Sequence, residues 1–190
     1  MSTVTTVVDA TNAALWVAVA AYGSSIAFSD RIGRGWLDQS VALQIGPSRV
    51  PGAGRGLFAA VDIPAHQILG AYPGRLRSGA QYEQKRLATP ATASYCWVLD
   101  DGMGVLDPTD AQGVLLEPLP RVDIGGFTFG AVPTTLALIN EPCAGLDVNV
   151  ATEQRGSTML FSTARDVARG EELFLDYGPL YDRSSYGSGG

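Results

Sequence analysis

Between Gly46 and Gly74 the chain reads "GPSRVPGAGRGLFAAVDIPAHQILGAYPG". Proline fixes φ and removes an amide donor, and glycine costs backbone entropy in any regular element. Punctuation this dense leaves no room for a helix long enough to bury an apolar face. It does leave room for short strands joined by turns. With 23 glycines and 11 prolines in 190 residues, the pattern extends well beyond this stretch.

Read on this basis, "VALQIG" (Val41 to Gly46) is a first strand and "PSRVPGAGRG" a loop. "LFAAVDIPAHQILGAYPG" gives two strands around an Asp62–Ala65 turn. "SGAQYEQKRLA" is the best helix in the body of the chain, with Ser78 as N-cap. "SYCWVL" and "MGVLD" flank Asp100-Asp101-Gly102 as a hairpin. From Pro108 to Gly130 the reading is loop-rich, with "VLLEPLP" extended, and "TTLALIN" is a short helix or apolar segment. "LDVNVAT" and "STMLFSTARDV" pair around a turn at Glu153–Gly156. Many short strands, few helices and long loops predict a β-rich α+β domain.

The division expected is a hydrophobic helix and linker over 1–40, one domain over 41–183 and a flexible tail over 184–190. Residues 10–29 carry no charge and have about the length needed to cross a bilayer. Alanine dominates there, and Asn12, Gly23, Ser24 and Ser25 interrupt it. Without a basic start it matches a secretory signal poorly. A helix packed on the domain or a partner, a membrane anchor and an organelle presequence all stay open. So does the compartment: nucleus, cytoplasm or plastid.

The chain is 46% hydrophobic and carries a net charge of −6, from 13 basic and 19 acidic residues. Such a surface repels phosphate backbones, so direct nucleic-acid binding is not expected. It suits basic peptide segments. Cys96 and Cys143 sit in no CxxC or Cys/His cluster, so no metal site is expected. The single histidine, His66, lies beside a turn and cannot build a His-based triad.

Three short blocks remain. Gly52, Gly54 and Gly56 alternate ahead of an apolar strand, which lets backbone groups approach a ligand closely. "LALINEPC" ends an apolar segment on Asn140 and Glu141, either as a capped turn or as an anchor for a polar ligand. "GEELFLDYG" ends Leu173-Phe174-Leu175 on Asp176-Tyr177-Gly178, placing a phenol where the chain can bend.

In this order the blocks resemble the SET-domain family of protein-lysine methyltransferases. Gly54-Arg55-Gly56-Leu57-Phe58-Ala59 through Tyr72-Pro73-Gly74 resembles its glycine loop and following strands, and Gly170-Glu171-Glu172-Leu173 through Asp176-Tyr177-Gly178 its last block. Asn140-Glu141-Pro142-Cys143 stands where the family has Asn-His-Ser-Cys, so Glu141-Pro142 is a departure and Pro142 removes an N–H. The resemblance covers about Val41 to Tyr181. "VLDPTDAQG", "INEP" and "DYGPLYDRSSYG" also look like an algal and plant branch of small SET proteins.

The resemblance implies several short sheets, a knot-like C-terminal segment and S-adenosylmethionine as cofactor. It implies that Gly54, Arg55 and Gly56 meet the methionine end of that cofactor, and that Asn140 and Glu141 hold its other parts. Tyr181 or Tyr186 would cover it in place of the family's cysteine-rich zinc module. Tyr177 would be catalytic, with Tyr72, Tyr95 and Leu175 lining a substrate channel. Leu175 is smaller than the Phe or Tyr often found there, which leaves room for higher methylation states. The partner implied is a protein with an exposed lysine, such as a basic tail. The alternative is a catalytically inactive SET-like module that binds basic peptides.

Overall fold

The computed structural model describes residues 37–124, 127–178 and 181. The N-terminal helix expected over 10–29, Tyr186 and the tail from 184 lie outside the described residues.

Asp38 opens the described chain by capping a one-turn helix, α1 (Gln39–Ala42), its carboxylate accepting from the Ser40 N–H at 3.0 Å. This cap overrides the strand expected from Val41, so strand β1 (Leu43–Pro47) starts two residues later. It pairs antiparallel with β2 (Arg55–Ala59), and the Gly/Pro-rich loop joins them. β3 (Ile68–Ala71) turns away from β2 and joins a different sheet. There it flanks β10 (Thr158–Thr163), which also pairs with β9 (Val150–Arg155). A third sheet has the order β4 (Arg75–Arg77), β6 (Val105–Asp107), β5 (Trp97–Val98). Helix α2 (Gly79–Ala88) starts on Ser78, where Ser78 and Gln81 cap each other's backbone reciprocally. The loop-rich reading of 108–130 needs correcting. β7 (Leu119–Ile124) and β8 (Phe127–Val132) form a hairpin there. The signal was Gly125-Gly126 between two alternating runs, a two-residue hairpin loop by composition.

The first three sheets share one core, with Leu57, Leu69, Leu136, Phe161 and Leu173 essentially unexposed at its centre. Burying a side chain the size of Phe161 contributes about 2–3 kcal/mol. The C-terminal run Leu173-Phe174-Leu175 joins no ladder. Instead it is held singly on several sides: Leu173 N–H donates to Leu57 O at 2.7 Å, Leu175 N–H to Asn140 O at 3.0 Å, and Val150 N–H to Phe174 O at 3.0 Å. Leu57, Asn140 and Val150 thus close around it.

Candidate functional site

The loop from Ser48 to Gly54 folds back on itself, with the Ser48 N–H donating to the Gly54 carbonyl at 2.9 Å. Gly54 sits exposed at φ 70°, in the left-handed region, so its backbone is open to a ligand. Gly56 is needed for a different reason. A Cβ there would lie 2.1 Å from Glu172 Oε1, so only glycine admits the carboxylate. Glu172 is fully buried. Its Oε1 accepts from the Ser48 hydroxyl at 2.6 Å and its Oε2 from the Arg49 N–H at 2.7 Å.

Asn140 completes this cluster. Its Nδ2 donates to the Arg55 carbonyl at 2.9 Å, lies 3.1 Å from Ser48 Oγ and 3.4 Å from Glu172 Oε1. The parallel bridge between Asn140 and Phe174 fixes the backbone here. One residue earlier, the Ile139 carbonyl accepts from the Tyr177 hydroxyl at 2.8 Å. The bend that delivers this phenol is an Asx turn: Gly178 at φ 83° donates its N–H to Asp176 Oδ1 at 2.8 Å. Glu141 Oε1 accepts from the Tyr177 N–H at 3.3 Å, and the rings of Tyr177 and Tyr181 meet at 4.6 Å between centroids.

The remaining expected residues border this arrangement. Tyr72 donates its hydroxyl to the Tyr95 carbonyl at 2.6 Å and packs against Trp97 and Phe161, each 5.5 Å away, which also touch each other at 5.3 Å. Burial pushes the Tyr72 phenol well above its ordinary pKa, and the nearby phenol of Tyr177 adds to this. It is therefore a donor at any working pH. The Arg55 guanidinium is half-exposed and forks onto both oxygens of Glu117. That carboxylate, and to a smaller degree the Tyr95 phenol, raises the Arg55 pKa.

Loop, asparagine and tyrosine therefore come together: Gly56, Arg55, Asn140, Glu141, Tyr177 and Tyr181 form one connected set, with Tyr72 and Tyr95 beside it. Leu175 lies in the core against which Tyr72, Trp97 and Tyr177 pack. It is 3% exposed and belongs to the core with Leu57 and Leu173. The bridge at Phe174 sets the backbone so that this side chain packs inward. Ser48, Glu172 and Asn149 are structural members that sequence reasoning passed over. Fully buried Asn149 donates to Glu172 O at 2.8 Å and accepts from the Phe174 N–H at 2.8 Å. Glu172 was visible as part of "GEEL". Nothing in "LDVNV" distinguishes Asn149 from a surface asparagine.

Both cysteines are free. Burial, with the Asp107 carboxylate alongside, pushes the Cys96 thiol up to about 12, which makes it a poor nucleophile at neutral pH. No helix among the described residues is long and apolar enough to cross a membrane.

Comparison with known proteins bears on the fold. Among solved structures, ctPRC2 in an autoinhibited conformation bound to S-adenosylmethionine superposes with a TM-score of 0.53 at 22% identity, covering 76% of this chain and 16% of that one. Chaetomium thermophilum Polycomb Repressive Complex 2 bound to GSK126 gives 0.52 at 22% identity, covering 76% and 17%. The chain thus spans about a sixth of the length of those structures' chains. At this identity the likeness is one of fold. Among curated proteins, none matches the sequence. The SET domain pattern matches residues 54–178, about two thirds of the 190 residues. On that match, with glycine loop, asparagine and tyrosine gathered in one place, the chain belongs to the SET-domain family.

Proposed function

We propose that the chain transfers methyl groups from S-adenosylmethionine to the side-chain amine of a lysine in a protein substrate. One pair of contacts supports this most. Asn140 Nδ2 donates to Arg55 O at 2.9 Å while Ile139 O accepts from Tyr177 Oη at 2.8 Å. Adjacent residues thereby hold the glycine loop on one side and the phenol on the other.

The groups present fit the cofactor. Asn140 is tethered through its nitrogen, which leaves the amide oxygen for an ammonium. Exposed backbone at Gly54 suits a carboxylate, and the Tyr181 ring suits a flat heterocycle. When bound, S-adenosylmethionine supplies an activated methyl group. The chain's own residues must align the amine, keep it neutral and exclude water. A free lysine amine has a pKa of about 10.4. Loss of solvation beside Tyr72, Trp97 and Tyr177 would disfavour its ammonium form and lower that value. Tyr177 Oη donates to a carbonyl and keeps lone pairs to accept from the amine and to take weak CH···O contacts from a polarised methyl. No protein nucleophile is needed.

Incubation with labelled S-adenosylmethionine and basic peptides is expected to label lysine. Tyr177→Phe is expected to cut the rate about 100-fold while cofactor binding persists. Absence of transfer to any lysine, with Tyr177→Phe behaving as wild type, sinks the proposal. Glu141-Pro142, whose carboxylate sits at the Tyr177 N–H, favours the second reading of an inactive module binding basic peptides. Calorimetry separates them: that module binds peptide and no cofactor.

A further inference from the structure

We infer that Glu172 is a positioning residue: its carboxylate fills the space that glycine leaves at position 56 and, with Ser48, sets which end of the Asn140 amide meets the ligand. The inference rests on the reading of this cleft as an S-adenosylmethionine site.

Around Asn140 Nδ2 stand the Arg55 carbonyl at 2.9 Å, Ser48 Oγ at 3.1 Å and Glu172 Oε1 at 3.4 Å. A carbonyl and a carboxylate can only accept. Turning the amide over would set its oxygen against both, so the nitrogen must face inward. Ser48 spends its proton on Glu172 Oε1 at 2.6 Å, which leaves its oxygen to accept from Asn140. The carboxylate is anchored independently by the Arg49 N–H at 2.7 Å and cannot swing away. All of this needs position 56 bare, since a Cβ would come within 2.1 Å of Glu172 Oε1 and 3.3 Å of Asn140 Nδ2. The second glycine of the loop thus seats a carboxylate from the same chain. The outward amide oxygen is then a fixed acceptor for a cationic donor, the ammonium of the cofactor.

Glu172→Gln tests this on the full chain. A glutamine that keeps its oxygen on the Arg49 N–H turns an NH2 toward Asn140, donor against donor, and favours the flipped amide. The expected result is an increase of about tenfold in KM for S-adenosylmethionine with kcat within about twofold. Ser48→Ala should move KM the same way by a smaller factor. A fall in kcat at constant KM in both variants would indicate a merely structural role and overturn the inference. In ligand-free protein, the side-chain NH2 signals of Asn140 in 15N spectra should be slow to exchange and should shift in Ser48→Ala. Fast-exchanging, unshifted signals overturn it as well. Gly56→Ala/Glu172→Ala should melt above Gly56→Ala alone, because the new methyl then has room; a double variant less stable than either single overturns the seating. A wild-type chain that binds no S-adenosylmethionine overturns the methyltransferase reading instead, while the amide signals still decide the orientation of Asn140.

Discussion

Asp107 and Glu172 are both fully buried carboxylates, and they are satisfied in opposite ways. Asp107, on β6, is met by cations. The Lys85 ammonium lies 2.7 Å away and the Arg77 guanidinium also contacts it, while Thr109 adds its N–H and hydroxyl at 2.9 and 2.6 Å. Burial alone would raise its pKa, but Lys85, Thr109 and Arg77 outweigh that and bring it down to about 2. Glu172 is met by a hydroxyl, a backbone N–H and a side-chain amide. The first arrangement cancels charge and staples α2, β4 and β6 together. The second is met by dipoles alone, where the glycine loop and Asn140 meet.

The largest effect should come from breaking the charge-cancelled pair. Asp107→Ala leaves Lys85 and Arg77 without their carboxylate, and because both keep some exposure the loss should be about 3 kcal/mol by urea unfolding. A loss near zero would mean that water already serves those cations. The depressed pKa of Asp107 gives the next effect. A folded value below the unfolded one adds stability that is present above about pH 4 and disappears as pH falls toward about 2, roughly 2 kcal/mol in all. Melting curves across that window should be flatter for Asp107→Asn than for wild type. Glu172→Gln should cost less, about 1 kcal/mol, because neutral donors tolerate an amide in part. A cost equal to that of Asp107→Ala would erase the contrast between the two sites. Smallest is Arg55→Ala. Its ion pair with Glu117 has side chains 48% and 39% exposed, so the change should stay below about 1 kcal/mol and shrink further in salt.

How much of this was legible beforehand varied by the kind of signal. Helix α2 was readable because Ser78 stands at its N-cap, a local rule to which the structure adds Gln81 as the reciprocal partner. β9 and β10 were readable from their turn, although β9 runs on to Arg155, closer to Gly156 than expected. At Val41 the β-branched side chain spoke for a strand, yet Asp38 accepting from Ser40 won the first turn. The site was legible as three blocks because glycine, asparagine and tyrosine stand out singly. What ties the blocks together was not legible. Ser48 and Glu172 meet across 124 residues, and no local pattern encodes such a contact.

That separation fixes an order of events during synthesis. The staple at Asp107 needs nothing beyond Thr109, so it can close while the distal third of the polypeptide is still on the ribosome. The cleft cannot. Its loop waits, unclasped, until translation has passed residue 172, so a nascent product cut short of that point carries the staple without the Ser48–Glu172 clasp.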